Sequence, residues 1–339
     1  MGSAGSRESV GRSRCWLVSR SASGACGRLA ELPWGSAEQP ADEAVVIVEA
    51  AGFNYKDALA CAGHPGVMRL DPLVPGIDAA GRLAAAAGGM AAGAPVIVTA
   101  HGMGEHRHGG FATHVRMPTA AILPRPAGLD AVAAMAFGTA GLTVILACER
   151  LAALVEDGGE AEWLVTGASG GVGMLAVARL AAAGHRVVAA SRKPAAREAL
   201  LALGAAVVAM PDEIVDPGSK SLARGRWAGV IDTVGGPLLA DVLRSVRVGG
   251  AVAAVGMAGG HDLVTTVHPF ILRGVTLTGI DAAMRPTPAD RRRLWDELAG
   301  FWPRIRDVFP ITRLALADVG DWGARMLRGE TSGRGVVVP

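Results

Sequence analysis

At 339 residues the chain is long enough for two domains, and its 50% hydrophobic content allows a well-packed core. Charged residues make up 19% of the chain, which excludes a largely disordered protein. The formal net charge is only +2, and the cations are scattered rather than striped, so we expect no nucleic-acid partner.

The cysteines and the first residues bear on cellular location. The four cysteines stand apart without a C-x-x-C pair, which suits a reducing cytoplasm and predicts no disulfide framework. No window of 18 uninterrupted apolar residues is present, so no membrane span is predicted. Residues 1–12 lack an apolar core, and we expect a flexible tail rather than a signal peptide.

The hydrophobic pattern changes near residue 128. Before it, short apolar runs separated by glycine and proline predict a compact β domain with a brief helix at 58–62. After it, helices and strands alternate, which predicts a parallel sheet covered on both faces. The predicted strands are 16–18, 29–33, 44–50, 163–166, 185–190, 207–208, 229–235, 251–256, 275–279 and 335–338, and the later helices are 131–137, 140–151, 174–184, 195–203, 289–301 and 321–327.

A glycine-rich turn between one such strand and its helix is the central motif. Gly167, Gly170 and Gly173 have the spacing G-x-x-G-x-x-G, with Gly171 as a fourth small residue. A strand that enters a helix through such a turn directs backbone N–H groups and the helix dipole at one point, which suits a pyrophosphate. This context predicts a nucleotide site that also includes Ser169 and Val172.

The next strand distinguishes the two nicotinamide cofactors. It ends in Ser191, Arg192 and Lys193, where an NAD site would carry an acidic residue for the ribose 2′-hydroxyl. A hydroxyl and two cations suit the 2′-phosphate of NADPH instead. The alternative is a pair of solvated cations after a strand.

Six segments carry a family resemblance: residues 54–60, 74–78, 138–143, 165–173, 227–235 and 265–274, the last of which contains Pro-Phe-Ile-Leu-Arg. In this order they resemble the medium-chain dehydrogenase/reductase superfamily. More narrowly, they are similar to its zinc-free acryloyl-CoA reductase branch, the YhdH/AcuI-like relatives of quinone oxidoreductase.

The resemblance implies an α/β fold class: a Rossmann doubly wound parallel sheet plus a GroES-like β-rich catalytic domain. Residues 13–127 and 288–339 are expected to form the catalytic domain, and 128–287 the NADP(H)-binding domain. It also implies a homodimer, joined through the sheet edge near 267–279.

No metal site is predicted. Zinc-binding relatives use a cysteine and a Gly-His-Glu set, whereas residues 75–78 here read Pro-Gly-Ile-Asp, and Ile77 cannot bind a metal. The histidines of the 101–114 loop could be argued as ligands, but that glycine-rich loop has no cysteine partner.

Reduction of an activated C=C bond needs a hydride, polarisation of the conjugated carbonyl, and a proton. Tyr55, the only tyrosine, is our candidate to donate that proton or to order the water that does. The alternative is a pocket wall that stacks near the nicotinamide. Asn54 is a candidate to hydrogen-bond the cofactor or the substrate carbonyl, and Lys56 and Asp57 are expected to brace this turn as an ion or capping pair.

Further candidates flank these motifs. Arg69 and Arg273 could meet phosphates or the acyl carrier, although Arg273 could equally be a cation at an interface or at the edge of the core. His101 and His108 stand where the family has aromatic residues, which makes the substrate loop more polar. The remaining cofactor candidates are Thr139, Thr143, Asp232, Val234 and Gly256, with Thr143 alternatively bonding its own helix backbone.

The predicted function is NADPH-dependent, zinc-independent reduction of an α,β-unsaturated thioester such as acryloyl-CoA, in the cytoplasm. A quinone or enone reductase, a tailoring reductase of a specialised metabolite, and a catalytically silent NADPH-binding protein remain as alternatives.

Overall fold

A computed structural model describes residues 11–22, 24–33, 42–155, 161–216, 218 and 221–339. Residues 1–10 of the expected tail lie outside the described part, and Arg12 begins the first strand. The helices are α1 (Tyr55–Cys61), α2 (Ala131–Ala152), α3 (Gly171–Ala182), α4 (Arg197–Ala202), α5 (Gly236–Arg244), α6 (His268–Arg273), α7 (Pro288–Ile305) and α8 (Val319–Leu327). The strands are β1 (Arg12–Ser21), β2 (Gly24–Pro33), β3 (Glu43–Gly52), β4 (Asp78–Leu83), β5 (Pro95–Thr99), β6 (His114–Pro118), β7 (Leu123–Pro124), β8 (Glu162–Val165), β9 (Arg186–Ala190), β10 (Val207–Ala209), β11 (Trp227–Asp232), β12 (Val246–Ala254), β13 (Thr276–Gly279), β14 (Ile311–Leu314) and β15 (Arg334–Val337).

The elements divide between two units of the chain. The first unit comprises Met1–Met135, Arg313–Ala324 and Val336–Pro339, and the second comprises Ala136–Thr312 and Arg325–Gly335. The chain therefore crosses between the units more often than the predicted boundaries allow.

The first unit is built on antiparallel strands. β1 and β2 form a hairpin, and a seven-stranded sheet has the order β14-β15-β3-β4-β5-β7, with β6 pairing β3. β3 carries five branched or small apolar side chains in a row, so both its faces can be covered. Phe53 packs on Phe111 with ring centroids 4.9 Å apart, next to the start of α1. The predicted β domain is confirmed.

The second unit contains a six-stranded, wholly parallel sheet in the order β10-β9-β8-β11-β12-β13. The chain moves outward from β8 through β9 to β10 and then returns to place β11 on the other side of β8. The strand order therefore reverses between β8 and β11. In a doubly wound sheet, ligands bind outside the carboxyl ends of the strands at such a reversal. The predicted Rossmann sheet is confirmed.

The first long helix, α2, is kinked where the sequence indicates a break. Gly138 has φ 50° and ψ −147°, a conformation that a residue with a Cβ adopts only under strain. The helix is long and apolar enough to cross a bilayer, but 78% of its most apolar window is buried inside the protein, as in the core helix of a folded domain.

The region 288–312 differs most from the predicted division. It groups with the second unit rather than with the catalytic domain. The reason is packing on α2 and α3: Trp302 contacts Phe137 edge-on at 5.6 Å, and Glu297 pairs with Arg179. The sequence of an amphipathic helix does not reveal which sheet or helix it covers.

Candidate active site

The glycine turn lies between β8 and α3, at the reversal of strand order. Gly167 has φ 58°, and a Cβ there would stand 2.2 Å from Thr233 Oγ1. A Cβ on Gly173 would stand 2.5 Å from the Gly167 carbonyl oxygen. The fold itself thus requires glycine at both positions.

Gly170 is different, because its surroundings do not require glycine. Its backbone is extended, with φ −80°, and an added Cβ would meet only the Gly167 carbonyl oxygen, at 3.5 Å. It caps the N-terminus of α3, whose first N–H groups have no acceptor within the helix. The room around Gly170 and the donor groups of the first turn of α3 together suit a pyrophosphate group.

The end of the chain packs onto this turn, a contact that the sequence analysis missed. The hydroxyl of Ser332 and the N–H of Gly333 both donate to the carbonyl of Ser169, at 3.0 and 2.9 Å. Arg334 is only 4% exposed, and a Cβ on Gly171 would stand 2.3 Å from its Cδ. The Arg334 side chain therefore lies against Gly171, the residue before Val172, in the first turn of α3. These contacts join residues some 160 positions apart, so no local motif could show them.

Ser191, Arg192 and Lys193 follow β9. Ser191 is buried, and its hydroxyl accepts the N–H of Lys193 at 3.1 Å. The Lys193 ammonium donates to the carbonyl of Thr331, in the same segment that packs on the glycine turn. Partial burial, together with the nearby Arg192, lowers the pKa of Lys193. The hydroxyl and the two cations are thus close to the turn, as a site for a 2′-phosphate requires.

Asp232, at the end of β11, is fully buried and bonded within the protein. It accepts the Thr166 hydroxyl at 2.5 Å and the Gly235 N–H at 2.7 Å. Burial raises the pKa of Asp232, and these donors oppose the rise. Its carboxylate holds the loop after β11 rather than presenting itself to a ligand, which departs from the predicted direct role. In the same region the Val234 carbonyl accepts the Gly259 N–H at 2.7 Å, and a Cβ on Gly256 would stand 2.5 Å from the Thr233 carbonyl oxygen.

Two other cofactor candidates have their polar groups occupied. The Thr143 hydroxyl donates to the Thr139 carbonyl at 2.8 Å, which favours the alternative that it bonds its own helix. The Arg273 guanidinium donates to the carbonyls of Arg244 and Val246 at 3.0 and 2.8 Å, and to that of Ala223. These contacts favour a cation at the edge of the core over a phosphate ligand.

In the first unit, Asn54 and Asp57 cap the N-terminus of α1. Asn54 donates its own N–H to Asp57 Oδ2 at 2.7 Å, and its side-chain amide donates to Asp78 Oδ2 at 2.8 Å and Asp57 Oδ2 at 3.2 Å. The amide hydrogens of Asn54 are thus used inside the protein, which disfavours the predicted bond from Asn54 to a substrate carbonyl. Asn54 instead fixes the start of the helix that bears Tyr55.

Asp57 also ties this helix to the 75–78 turn. Its Oδ1 accepts the N–H groups of Gly76 and Ile77 at 3.1 and 2.9 Å. Complete burial raises the pKa of Asp57 to about 7, and the neighbouring Asp78 carboxylate adds to the rise. The expectation that Lys56 and Asp57 brace this turn holds for Asp57, which caps α1, whereas Lys56 forms its ion pair with Glu105 rather than with Asp57.

Tyr55 is the first residue of α1 and is half-buried. Its hydroxyl forms no hydrogen bond with any residue that the structure describes. Because the capped helix holds the phenol in place and its hydroxyl is not engaged by these residues, Tyr55 can donate a proton to a bound molecule.

The loop of residues 100–110 holds the predicted substrate histidines. His108 Nδ1 accepts the Val74 N–H at 3.2 Å, and partial burial lowers the pKa of His108, so its proton is on Nε2. His101 is exposed in the left-handed region, with φ 55°. Arg69 has an exposed side chain, and its N–H donates to the Glu105 carbonyl at 3.1 Å. The structure thus joins His108 to Val74, next to the 75–78 turn, and the Arg69 backbone to Glu105.

Within the described residues, no three His, Cys, Asp or Glu side chains are grouped so as to hold a metal ion. The position of the family's histidine ligand is Ile77, which is buried.

A parallel sheet with a glycine turn at its point of strand reversal, next to a serine and two cations, defines a dinucleotide-binding protein of the oxidoreductase type. Two family models match: the alcohol dehydrogenase GroES-like domain over residues 40–127 and the zinc-binding dehydrogenase over residues 171–300. The chain is 41% identical to acrylyl-CoA reductase AcuI of Ruegeria pomeroyi, over 88% of this chain and 90% of that protein. It therefore belongs to the medium-chain dehydrogenase/reductase superfamily, in its acryloyl-CoA reductase, YhdH/AcuI-like branch.

Solved structures agree with this placement. The structure of YhdH from Escherichia coli K-12 with bound NADPH has a TM-score of 0.88 at 37% identity, covering 96% of this chain and 99% of that one. YhfP of Bacillus subtilis, a putative quinone oxidoreductase 38% identical over 82% of this chain and 83% of its own length, was solved with NAD bound. Its TM-score is 0.87, over 97% of this chain and all of that chain. The relatives thus differ in the cofactor that was bound.

Proposed function

We propose that the protein reduces the C=C bond of an α,β-unsaturated thioester, acryloyl-CoA being the type substrate, with NADPH as the reductant. The observation that carries this proposal is the 41% identity to an acrylyl-CoA reductase across 88% of the chain. NADPH, when bound, supplies the hydride. The protein's own residues bind the cofactor, orient the substrate and supply the proton.

Ser191, Arg192 and Lys193 support the choice of NADPH over NADH. A buried hydroxyl beside an ammonium and a guanidinium offers donors and positive charge to a 2′-phosphate. No carboxylate stands among these three residues to accept a ribose 2′-hydroxyl. The NAD-bound relative makes the choice of cofactor a direct test of this interpretation.

Tyr55 is the proposed proton donor to the α-carbon, directly or through water. The way α1 is held in place supports this proposal. Asn54 and Asp57 cap α1, and Asp57 anchors that helix to Gly76 and Ile77. Ile77 also supports zinc independence, because a branched alkyl side chain offers no metal-binding atom. Among the polar groups near this turn, His108 is proposed to offer its Nε2–H to the substrate, while His101 and Arg69 favour an anionic or polar carrier.

The decisive experiment follows the oxidation of NADPH and of NADH at 340 nm with acryloyl-CoA, crotonyl-CoA, a quinone and a simple enone. We expect turnover with NADPH and acryloyl-CoA to exceed the other pairs. Preference for the quinone would favour the second candidate, which the resemblance to YhfP supports. Tight NADPH binding without turnover on any acceptor would indicate a silent binding protein. Activity that survives dialysis against a zinc chelator is expected.

We also propose that two copies associate through the β13 edge of the parallel sheet. Beside this edge strand, α6 and the segment before it expose several apolar side chains: Val264 is 87% exposed and Ile271 70%, with Val267 and Leu272 also open. Pairing of β13 with β13 of a second copy would give the backbone groups of this edge strand hydrogen-bond partners. It would also cover the exposed apolar side chains.

Sedimentation would test the dimer. Ile271→Glu should give a monomer, whereas Leu29→Glu, at a 54% exposed position in the first unit, should not change the mass. A monomeric wild type would refute the proposed dimer and would not count against the proposed reaction. The four unpaired cysteines favour a reducing location such as the cytoplasm.

A further inference from the structure

Two loops at the reversal of strand order are joined by hydrogen bonds between side chains and backbone. One loop follows β8 and contains Thr166 and Gly167, and the other follows β11 and contains Thr233 and Gly235. The Thr166 hydroxyl donates to Asp232 Oδ1 at 2.5 Å and accepts the Thr233 N–H at 3.1 Å. Both hydroxyl functions of Thr166 are thus used between the loops.

The second threonine completes the link in the opposite direction. The Thr233 hydroxyl donates to the Thr166 carbonyl at 2.9 Å. Asp232 Oδ2 accepts the Gly235 N–H at 2.7 Å, so one carboxylate fixes both its own loop and Thr166. Asp232 and Thr166 are fully buried, and water does not compete for these bonds.

Steric contacts extend the link to a third loop. A Cβ on Gly167 would stand 2.2 Å from Thr233 Oγ1, and a Cβ on Gly256, after β12, would stand 2.5 Å from the Thr233 carbonyl oxygen. Thr233 therefore lies in contact with the loops on either side of its own. Any shift of Thr233 moves the walls of the space outside the strand ends, where this sheet binds its ligand.

We propose that Thr166 and Asp232 are positioning residues, which hold the loops after β8 and β11 at a fixed separation and so set the affinity for the cofactor. This inference rests on the proposed function for the identity of the cofactor. Neither Thr166 nor Asp232 is proposed to contact the cofactor itself. The pair acts through the position of Gly167 and the first turn of α3.

The test compares Thr166→Val, which is nearly isosteric but lacks the hydroxyl, with Thr166→Ser, which keeps it. The full-length proteins are titrated with NADPH by calorimetry, and kcat and the KM for acryloyl-CoA are measured. We expect Thr166→Val to raise the NADPH dissociation constant about tenfold, as loss of a hydrogen bond to a charged group implies. The KM for acryloyl-CoA should change less than twofold in Thr166→Val. Thr166→Ser should bind NADPH as tightly as wild type does. Equal NADPH affinity in folded Thr166→Val and wild type overturns the inference.

Thr233→Val is the second variant, should Thr166→Val fail to fold. It removes only the Thr233 hydroxyl and leaves the Thr166–Asp232 bond, so we expect a threefold weaker NADPH affinity. An unchanged affinity in Thr233→Val then counts against the inference.

Hydrogen exchange separates failure of this inference from failure of the proposed function. If wild type does not bind NADPH, the proposed function fails, but the amides of Gly167 to Gly173 should still exchange faster in Thr166→Val, or in Thr233→Val if that variant is the one that folds, than in wild type. Equal exchange in these amides refutes the link between the loops whatever the protein binds.

Discussion

The buried carboxyl of Asp57 should make the stability of the protein depend on pH in a direction opposite to that of most acidic residues. Its pKa is raised from 3.8 to about 7 in the folded chain, chiefly by complete burial and further by Asp78. Between these two values the folded protein holds a proton that the unfolded chain has released. The free energy of unfolding must therefore fall as the pH rises through this window.

The magnitude follows from the linkage relation. Each pH unit well inside the window is worth about 1.4 kcal/mol, and Asp57 is half ionised at pH 7, so the contribution lost from pH 5 to pH 7 is about 2 kcal/mol. Asp57→Asn removes the titrating group. Its amide nitrogen cannot accept a hydrogen bond, whereas both carboxyl oxygens of Asp57 accept N–H groups, so we expect Asp57→Asn to be less stable than wild type at pH 5.

The assay is urea unfolding of wild type and Asp57→Asn at pH 5, 6, 7 and 8. The difference in unfolding free energy between them should shrink by about 2 kcal/mol from pH 5 to pH 7, shrink only slightly further by pH 8, and then level off. Asp212→Asn, at an exposed position, is the control and should leave the pH dependence of wild type unchanged. A difference between wild type and Asp57→Asn that is constant with pH would refute a raised pKa at this site. Because Asp57 caps the helix that begins at Tyr55, kcat should also fall severalfold.

Three further predictions concern the cofactor and the proton. Gly170→Ala should leave the free energy of unfolding within about 1 kcal/mol of wild type, since its Cβ meets only one atom at 3.5 Å, yet weaken NADPH binding at least tenfold in calorimetry. Gly173→Ala should instead destabilise the fold by about 3 kcal/mol, because its Cβ would stand 2.5 Å from a backbone oxygen; equal melting of the two variants would contradict this contrast. Lys193→Ala should reduce the preference for NADPH over NADH by about tenfold in kcat/KM, and an unchanged ratio would exclude Lys193 from 2′-phosphate recognition. Tyr55→Phe should lower kcat by about a hundredfold with acryloyl-CoA, whereas a rate within twofold of wild type would leave Tyr55 as a pocket wall.

Features encoded in short stretches were predictable from the sequence. The glycine turn, the break at Gly138 and the parallel sheet each follow from local spacing or from alternation of strand and helix. The replacement of a histidine ligand by Ile77 is likewise visible at a single position of the sequence.

What the sequence did not reveal depends on tertiary contacts. Lys56 pairs with Glu105 rather than with its neighbour Asp57, because Asp57 turns inward to cap its helix and bind the 75–78 turn. Arg273 resembles a phosphate ligand until the structure shows its guanidinium bonded to three carbonyls. The assignment of 288–312 to the second unit likewise depends on which neighbour α7 covers, since an amphipathic helix fits either.

Residues 333–337 contribute contacts to both units, which bears on how the protein folds. Gly333 bonds Ser169 in the second unit, while Val336 and Val337 pair with Gly52 and Ala51 of β3 in the first. Neither unit can form all of its native contacts until residues 333–337 have been synthesised. A chain cut before Gly333 would therefore lose native contacts in both units at once.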